Sequence, residues 1–281
     1  MDRARRSLSQ NFLIDPNLQR KIVGTLEAPA DGTVLEIGPG HGELSRHLVG
    51  RVARLVLVEL DDRLVAELRE RWGERRDVTI VHGDALELDL AALVPPDSSY
   101  EVLSNLPYGI TSPLVFRFLE LQPPPERIVV TVQKEVGQRI AADPGSKAFG
   151  SLSVGVQARA RARVAFDVSR RAFRPVPDVE SVTVVIEPDR TRLEGLPAEA
   201  LRRLTRAAFS RRRKQLQKIL RSAPAYELDR DAAEDLCRDL GVDPRVRPEK
   251  LSAAQFVELA RRLEAHAPAP RGEATTDAGE A

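Results

Sequence analysis

Strand-like and helix-like segments alternate along most of this chain, and this alternation limits the fold more than any other feature. Strands are predicted at Thr33–Ile37, Arg54–Leu60, Val78–His82, Tyr100–Ser104 and Arg127–Gln133, and helices at Asn17–Leu26, Gly42–Val49, Asp62–Trp72 and Pro113–Leu121. Strands that alternate with helices form a parallel sheet with helices on both faces. Two later strand-like segments, Arg163–Val168 and Val182–Glu187, are expected to add an antiparallel edge. The predicted class is therefore α/β, with a Rossmann-like and mostly parallel sheet.

The pattern changes after the last of these strands. From Pro197 onward only helical periodicity remains, which predicts a small, all-helical C-terminal domain. We expect one domain over residues 1–190, including a basic N-terminal arm, and a second over residues 191–265. Residues 266–281 are rich in Ala, Pro, Gly and Glu, and this composition is typical of a disordered tail.

Composition excludes several classes of protein. Lys and Arg number 43 and Asp and Glu 42, and 42% of the residues are hydrophobic, which is enough for a buried core. No apolar stretch approaches the length of a membrane span, and the N-terminus has no apolar signal core. A soluble, cytoplasmic and monomeric protein is expected. Cys237 is the single cysteine and the four histidines lack ligand spacing, so no disulfide or metal site is predicted.

A glycine-rich turn follows the first predicted strand. It runs Glu36-Ile37-Gly38-Pro39-Gly40-His41-Gly42, and its glycines let the backbone approach a ligand closely. Glu59 ends the next strand, at the spacing of an acid that accepts hydrogen bonds from ribose hydroxyls. The turn alone would also fit a nicotinamide enzyme, but the G-x-G-x-G spacing after an acid favours S-adenosylmethionine. Asp84 could accept the adenine amino group of that cofactor, or could be an ordinary loop or cap residue.

The segment Asn105-Leu106-Pro107-Tyr108 directly follows a predicted buried strand. An Asn side chain both donates and accepts hydrogen bonds, and a Tyr ring offers a flat face. Together they suit a planar group that carries an amino substituent, such as a nucleobase. The alternative is an ordinary turn at the end of a strand, since Asn and Pro are common turn residues.

Several short motifs occur in an order that resembles one family. They are Ser9-Gln10-Asn11-Phe12-Leu13, Glu36-Ile37-Gly38-Pro39-Gly40, Glu59, Gly83-Asp84, Asn105-Leu106-Pro107-Tyr108, Phe173-Arg174-Pro175-Val176-Pro177, Phe209-Ser210-Arg211-Arg212-Arg213-Lys214 and Arg247-Pro248-Glu249-Lys250-Leu251-Ser252. The chain resembles the ribosomal RNA adenine N6-dimethyltransferases, and among them most closely the bacterial small-subunit enzymes. Gly109 departs from the polar residue, such as Asn, that is more usual in bacterial members. This departure affects only the shape of the segment Asn105–Tyr108, called the clamp below.

The resemblance implies a class I methyltransferase sheet and a specific reaction. S-adenosylmethionine would be the cofactor, and adjacent adenosines of small-subunit ribosomal RNA would be dimethylated at N6 within an immature 30S particle. Cofactor contacts are implied for Asn11, Leu13, Gly38, Glu59, Asp84 and Asn105. From the residues alone, a helix cap for Asn11 and a core anchor for Leu13 would be the favoured interpretations.

Catalysis is expected from the clamp. The adenine amino group would donate to the side-chain oxygen of Asn105 and to a main-chain carbonyl of Leu106 or Pro107, contacts that strengthen as the nitrogen becomes positive. Tyr108 is predicted to stack on one face of a flipped base and Phe173 on the other. The alternative for Phe173 is a hydrophobic plug beneath its loop.

A basic segment in the helical region is the candidate RNA-binding site. Nine basic residues and no acid lie between Leu201 and Arg221, with Arg211, Arg212, Arg213 and Lys214 consecutive. RNA phosphates are the natural counterpart of such a run, whereas a solvated helix face usually mixes both signs of charge.

Three other functions compete with this prediction. One is a large-subunit ribosomal RNA adenine methyltransferase of the macrolide-resistance type. Another is a non-catalytic RNA-binding factor in ribosome assembly that keeps the fold. The third is a DNA adenine methyltransferase, which would usually carry a different clamp and a DNA-reading domain.

Overall fold

The computed structural model describes residues 11–95, 99–193 and 195–266. The chain divides into two compact units, Met1–Glu194 and Gly195–Ala281, a break that lies a few residues after the predicted boundary. Nearly all of the predicted tail and most of the basic arm lie outside the described residues.

The first unit is built on a seven-stranded sheet within the described part of the chain. Its strands are β2 (Thr33–Ile37), β3 (Arg54–Glu59), β4 (Val78–His82), β5 (Tyr100–Asn105), β6 (Arg127–Gln133), β7 (Ala160–Val168) and β9 (Ser181–Pro188). They lie in the order β4-β3-β2-β5-β6-β9-β7. The first five are parallel, and β9 pairs antiparallel with both β6 and β7, so the predicted mostly parallel sheet with an antiparallel edge is confirmed.

Two further short strands form a separate antiparallel pair. These are β1 (Phe12–Leu13) and β8 (Phe173–Arg174), and Leu13 lies opposite Phe173. The pairing joins the start of the described chain to the loop before β9. The sequence did not predict it, because two-residue strands carry no periodicity.

Helices cover the sheet. They are α1 (Pro16–Val23), α2 (Asp62–Trp72), α3 (Thr111–Glu120), α4 (Lys134–Ile140) and α5 (Ser151–Gln157). Asp15 caps α1 by accepting from the backbone N–H groups of Asn17 and Leu18 at 2.8 and 3.2 Å. The sequence missed α4 and α5.

The predicted helix Gly42–Val49 is wrong. The segment forms turns around a short 3-10 stretch, Ser45–His47. Gly42 has a φ of +80°, so it cannot be the first residue of a right-handed helix.

The central strands are apolar on both faces because a hydrophobic cluster packs against each side of the sheet. Leu35 and Ile37 of β2 pack on one side of the sheet, and Val34 packs on the other. This is the arrangement expected for parallel strands that are covered by helices on both faces. The carboxyl ends of β2, β3, β4 and β5 consequently meet at one edge of the sheet, where the candidate site lies.

The second unit is helical in its described part. It contains α6 (Ala198–Ser210), α7 (Leu216–Ser222), α8 (Arg230–Asp239) and α9 (Ala253–His266). Helix α6 packs against α9 and α7 against α8, and the rings of Phe209 and Phe256 stack with centroids 5.6 Å apart. Among the described helices, none is long and apolar enough to cross a membrane.

Candidate active site

A cavity of about 290 Å³ opens at the carboxyl ends of β2 to β5. It is lined by all six residues predicted to contact a cofactor, Asn11, Leu13, Gly38, Glu59, Asp84 and Asn105, and by Leu106, Pro107 and Tyr108 of the clamp. Residues separated by almost 100 positions therefore share one space, while their individual roles remain predictions.

The glycine-rich turn forms one wall of the cavity. Gly38 and Gly40 have φ angles of +68° and +63°, which disfavour a residue with a side chain. A Cβ at Gly38 would meet no protein atom within 4 Å, so it would project into open space that a ligand can use. At Gly40 a Cβ would lie 3.1 Å from the ring of Phe12, and the N-terminal segment therefore packs directly against this turn.

Glu59 is held rigidly at the end of β3. Its carboxylate accepts backbone N–H groups from Gly40 at 3.1 Å, Leu60 at 2.9 Å and Asp61 at 3.0 Å. Burial raises the pKa of this carboxyl, and the three N–H donors oppose that shift. A carboxylate has about four acceptor positions, so about one remains for a ligand.

Glu36 is a cavity residue for which the sequence analysis predicted no role. Its carboxyl is 1% exposed and accepts a hydrogen bond from the Ser45 hydroxyl at 2.7 Å. Burial raises the pKa of Glu36 to about 8, with smaller contributions from the neighbouring Glu43 and Glu59. In the sequence, this acid two positions before Gly38 indicates only the type of cofactor.

Asp84 lies in the loop after β4. One of its carboxylate oxygens accepts the backbone N–H of Leu86 at 2.8 Å, which fixes the side chain. Arg117 of α3 donates to the carbonyl oxygen of Leu88 and thereby ties the same loop to the helix that follows the clamp. The other oxygen of Asp84 has no partner among the described residues and is available to a ligand in the cavity.

The clamp residues are placed by the end of β5. The Leu106 N–H donates to Thr131 at 3.0 Å, and the Asn105 amide nitrogen donates to the carbonyl of Asn11 at 3.0 Å. The Pro107 carbonyl accepts from the Ile110 N–H and from the Thr111 hydroxyl, both at 3.2 Å. The two candidate carbonyls differ in whether the protein itself already uses them. Within the described chain the Leu106 carbonyl accepts no hydrogen bond, whereas that of Pro107 is already engaged.

Tyr108 presents its ring to the cavity from a fixed position. Its hydroxyl lies 3.0 Å from the hydroxyl of Ser181 at the start of β9. Partial burial raises the pKa of the Tyr108 hydroxyl, so the ring is neutral at physiological pH. A neutral, anchored ring suits stacking on a base.

A sequence model of the ribosomal RNA adenine dimethylase family matches residues 1–265. The chain belongs to this family. The resemblance inferred from the motifs is therefore confirmed, and the protein is a methyltransferase of the ribosomal RNA adenine class.

Individual relatives agree with this assignment. The ribosomal RNA small subunit methyltransferase A of Geobacter metallireducens is 39% identical over 270 residues, covering 93% of this chain and 96% of the relative. The protein of the same name from Rhodospirillum rubrum is 42% identical over 266 residues, covering 93% of this chain and 88% of the relative.

Solved structures show the same fold. A dimethyladenosine transferase from Plasmodium falciparum superimposes with a TM-score of 0.79 at 24% identity, covering 90% of this chain and 98% of that one. The 23S rRNA methyltransferase ErmE superimposes with a TM-score of 0.70 at 29% identity, covering 90% of this chain and all of that one.

Phe173 of the dimethylase does not line the cavity, and its predicted stacking role is corrected for this conformation. The ring is 1% exposed and belongs to the core cluster that includes Leu13 and Val168. Pairing of β8 with β1 places Phe173 beside Leu13 and turns the ring inward. The other interpretation, a hydrophobic plug beneath the loop, describes its position.

The four consecutive basic residues Arg211 to Lys214 of the dimethylase differ in whether their side chains contact other protein groups. Arg211 donates to the carbonyl of Ser222 at 3.0 Å, and Arg212 lies 3.7 Å from the carboxylate of Glu249. Arg213 and Lys214 are exposed, and their side chains have no partner among the described residues. These two are the better candidates for RNA contacts, and the RNA-binding role of all four remains a prediction.

Proposed function

We propose that the protein uses S-adenosylmethionine to dimethylate N6 of adjacent adenosines in small-subunit ribosomal RNA, within an immature 30S particle. One observation carries the proposal: the same cavity is lined by residues that suit a nucleoside and by residues that suit an amino group. The first are the glycine-rich turn and Glu59, and the second are the acceptor oxygens of Asn105 and Leu106. The two relatives that are 39% and 42% identical are both named ribosomal RNA small subunit methyltransferase A, which favours this RNA over large-subunit RNA.

The cofactor fits the residues that are present. Open space beside Gly38 allows close approach of a ligand, and Glu59 keeps about one acceptor position for a ribose hydroxyl. Glu43 and Glu59 place two carboxyl groups along the cavity, which complements the positive charge of a sulfonium and an ammonium group, whereas the raised pKa keeps Glu36 largely protonated at neutral pH. When bound, S-adenosylmethionine supplies an activated methyl group on its positively charged sulfur.

Asn105 and Leu106 would orient the target. The free Oδ1 of Asn105 and the free carbonyl of Leu106 would accept the two N–H groups of adenine N6. These bonds strengthen as positive charge develops on the nitrogen, so they favour the transition state over the ground state. They also direct the nitrogen lone pair toward the methyl group, which is the larger requirement for a reaction with an activated donor.

Tyr108 would hold the flipped base. A base must leave its stack to enter a pocket of this kind, and stacking on an aromatic ring offsets part of the cost. Because Ser181 anchors the hydroxyl of Tyr108, the ring needs no reordering when the base arrives.

Arg213 and Lys214 of the helical unit would contact RNA phosphates. Both side chains are exposed and unpaired within the described residues, so contact with a phosphate displaces no internal ion pair. Recognition by phosphate and shape suits a folded RNA or a partly assembled particle.

Transfer of tritium from labelled S-adenosylmethionine to purified immature small subunits, followed by mapping of the modified nucleotides, tests the proposal. We expect label on N6 of adjacent adenosines. Asn105→Ala should reduce transfer by about 10²- to 10³-fold, because it removes one of two transition-state acceptors. Arg75→Ala, which changes an exposed ion pair with Asp77, serves as the matched control and should leave transfer unchanged.

Other outcomes identify the competing functions. Label on large-subunit RNA alone would contradict the small-subunit assignment. RNA binding without transfer would indicate a non-catalytic assembly factor.

A further inference from the structure

Residues 11–14 are the described end of the N-terminal arm, and the first three of them line the cavity. Leu13 is buried and paired with Phe173, and the Ile14 N–H donates to the carbonyl of Ala172 at 2.7 Å. Phe12 packs against His41 with ring centroids 4.5 Å apart. The arm is therefore fixed along its whole length.

Gln19 of α1 anchors this arm from beneath. Its side chain is fully buried, and its amide nitrogen donates to the carbonyl of Leu13 at 2.6 Å. Its amide oxygen lies 3.2 Å from Nε2 of His47, and because that oxygen can only accept, the His47 nitrogen donates. His47 thus sets the orientation of the Gln19 amide, which presents its donor to the arm. Gln19 itself does not line the cavity.

The arm in turn contacts the clamp. Two residues before Leu13, the carbonyl of Asn11 accepts the Asn105 amide nitrogen at 3.0 Å. An amide whose nitrogen is bound on one side presents its oxygen on the other. In the described chain this oxygen of Asn105 has no protein partner, and Asn105 lines the cavity.

We propose that Gln19 is a positioning residue for methyl transfer: by fixing the arm, it keeps the Asn11 carbonyl in place to aim the Asn105 oxygen at the adenine amino group. This inference rests on the proposed function of Asn105 and extends it to a residue outside the cavity.

The test is a double-mutant cycle in the full-length protein. Gln19→Met keeps the length of the side chain and removes the donor, and Gln19→Glu, measured in parallel, provides a second variant if the first fails to fold. Transfer to immature small subunits is measured at saturating S-adenosylmethionine, so that weakened cofactor binding does not enter kcat. Arg20→Ala is the matched control, because Arg20 lies on the same helix and its side chain, among the described residues, donates to the Asn17 side chain on the helix surface.

We expect Gln19→Met to lower kcat about tenfold in the wild-type background, since one buried hydrogen bond that orients the arm is lost. In the Asn105→Ala background the same change should have less than about a twofold effect, because Gln19 acts through Asn105. An equal loss in both backgrounds, or no loss in the wild type, would overturn the inference.

The cycle also separates this inference from the proposed function. If Asn105→Ala alone leaves transfer unchanged, the clamp assignment itself fails. If Asn105→Ala lowers transfer while both Gln19 variants do not, only the positioning role of Gln19 fails.

Discussion

Glu36 lies in β2, and its carboxyl group is buried beneath the glycine-rich turn. Its replacement by Gln tests whether the raised pKa of this carboxyl makes the stability of the protein depend on pH. Glu36 is 1% exposed, and its carboxyl group accepts a hydrogen bond from the Ser45 hydroxyl at 2.7 Å. Glu36→Gln keeps the shape of the side chain and an oxygen that can accept from Ser45. The substitution therefore removes only the ability to ionise.

The magnitude follows from the raised pKa. Burial shifts the pKa of Glu36 from 4.5 to about 8, so the folded protein holds a proton that the unfolded chain releases. Stability from this group is complete below pH 4.5 and is lost as the pH rises toward 8. Each pKa unit corresponds to about 1.4 kcal/mol, so the whole loss is about 5 kcal/mol, of which about 2.5 kcal/mol falls between pH 6 and pH 8.5.

Urea unfolding at a series of pH values measures this difference. Trp72, the single tryptophan, is buried in the first unit, so its fluorescence reports the unfolding of that unit. Over the interval from pH 6 to pH 8.5, the wild type should lose about 2.5 kcal/mol more stability than Glu36→Gln. Parallel profiles for the two proteins would refute the reasoning, since they would mean that Glu36 ionises equally in the folded and unfolded states.

Two further pairs of substitutions test the turn and the basic segment. Gly42→Ala should destabilise the protein by about 2–4 kcal/mol in urea unfolding, because φ is +80° and the added Cβ would lie 2.5 Å from Trp72. Gly50→Ala has a similar φ but open surroundings and should cost only about 1–2 kcal/mol, so equal losses would contradict the role of the clash. Arg213→Ala should lower the slope of log affinity against log salt for small-subunit RNA by about one unit. Arg211→Ala should change that slope less, because its guanidinium is bound within the protein, and the reverse ranking would contradict the proposed interface.

Much of the site could be predicted because its chemistry is local. The glycine-rich turn, the acid that ends the next strand and the Asn105–Tyr108 segment each consist of neighbouring residues whose types limit what they can bind. The alternation of strands and helices then places them at the same edge, because carboxyl ends of parallel strands lie together. All of the predicted cofactor contacts and the Asn105–Tyr108 segment line the cavity, whereas Phe173 does not.

Tertiary structure decided which of these groups are free to act. The Pro107 carbonyl is engaged by Thr111, the Phe173 ring is buried under the arm, and Arg211 is bound to Ser222. The sequence alone determined the fold class, the family and the residue types at the site, because these depend on local periodicity and on short motifs. Whether an acceptor, a ring or a cation is available depends on partners brought close by folding, often from distant parts of the chain, and no local pattern records those contacts.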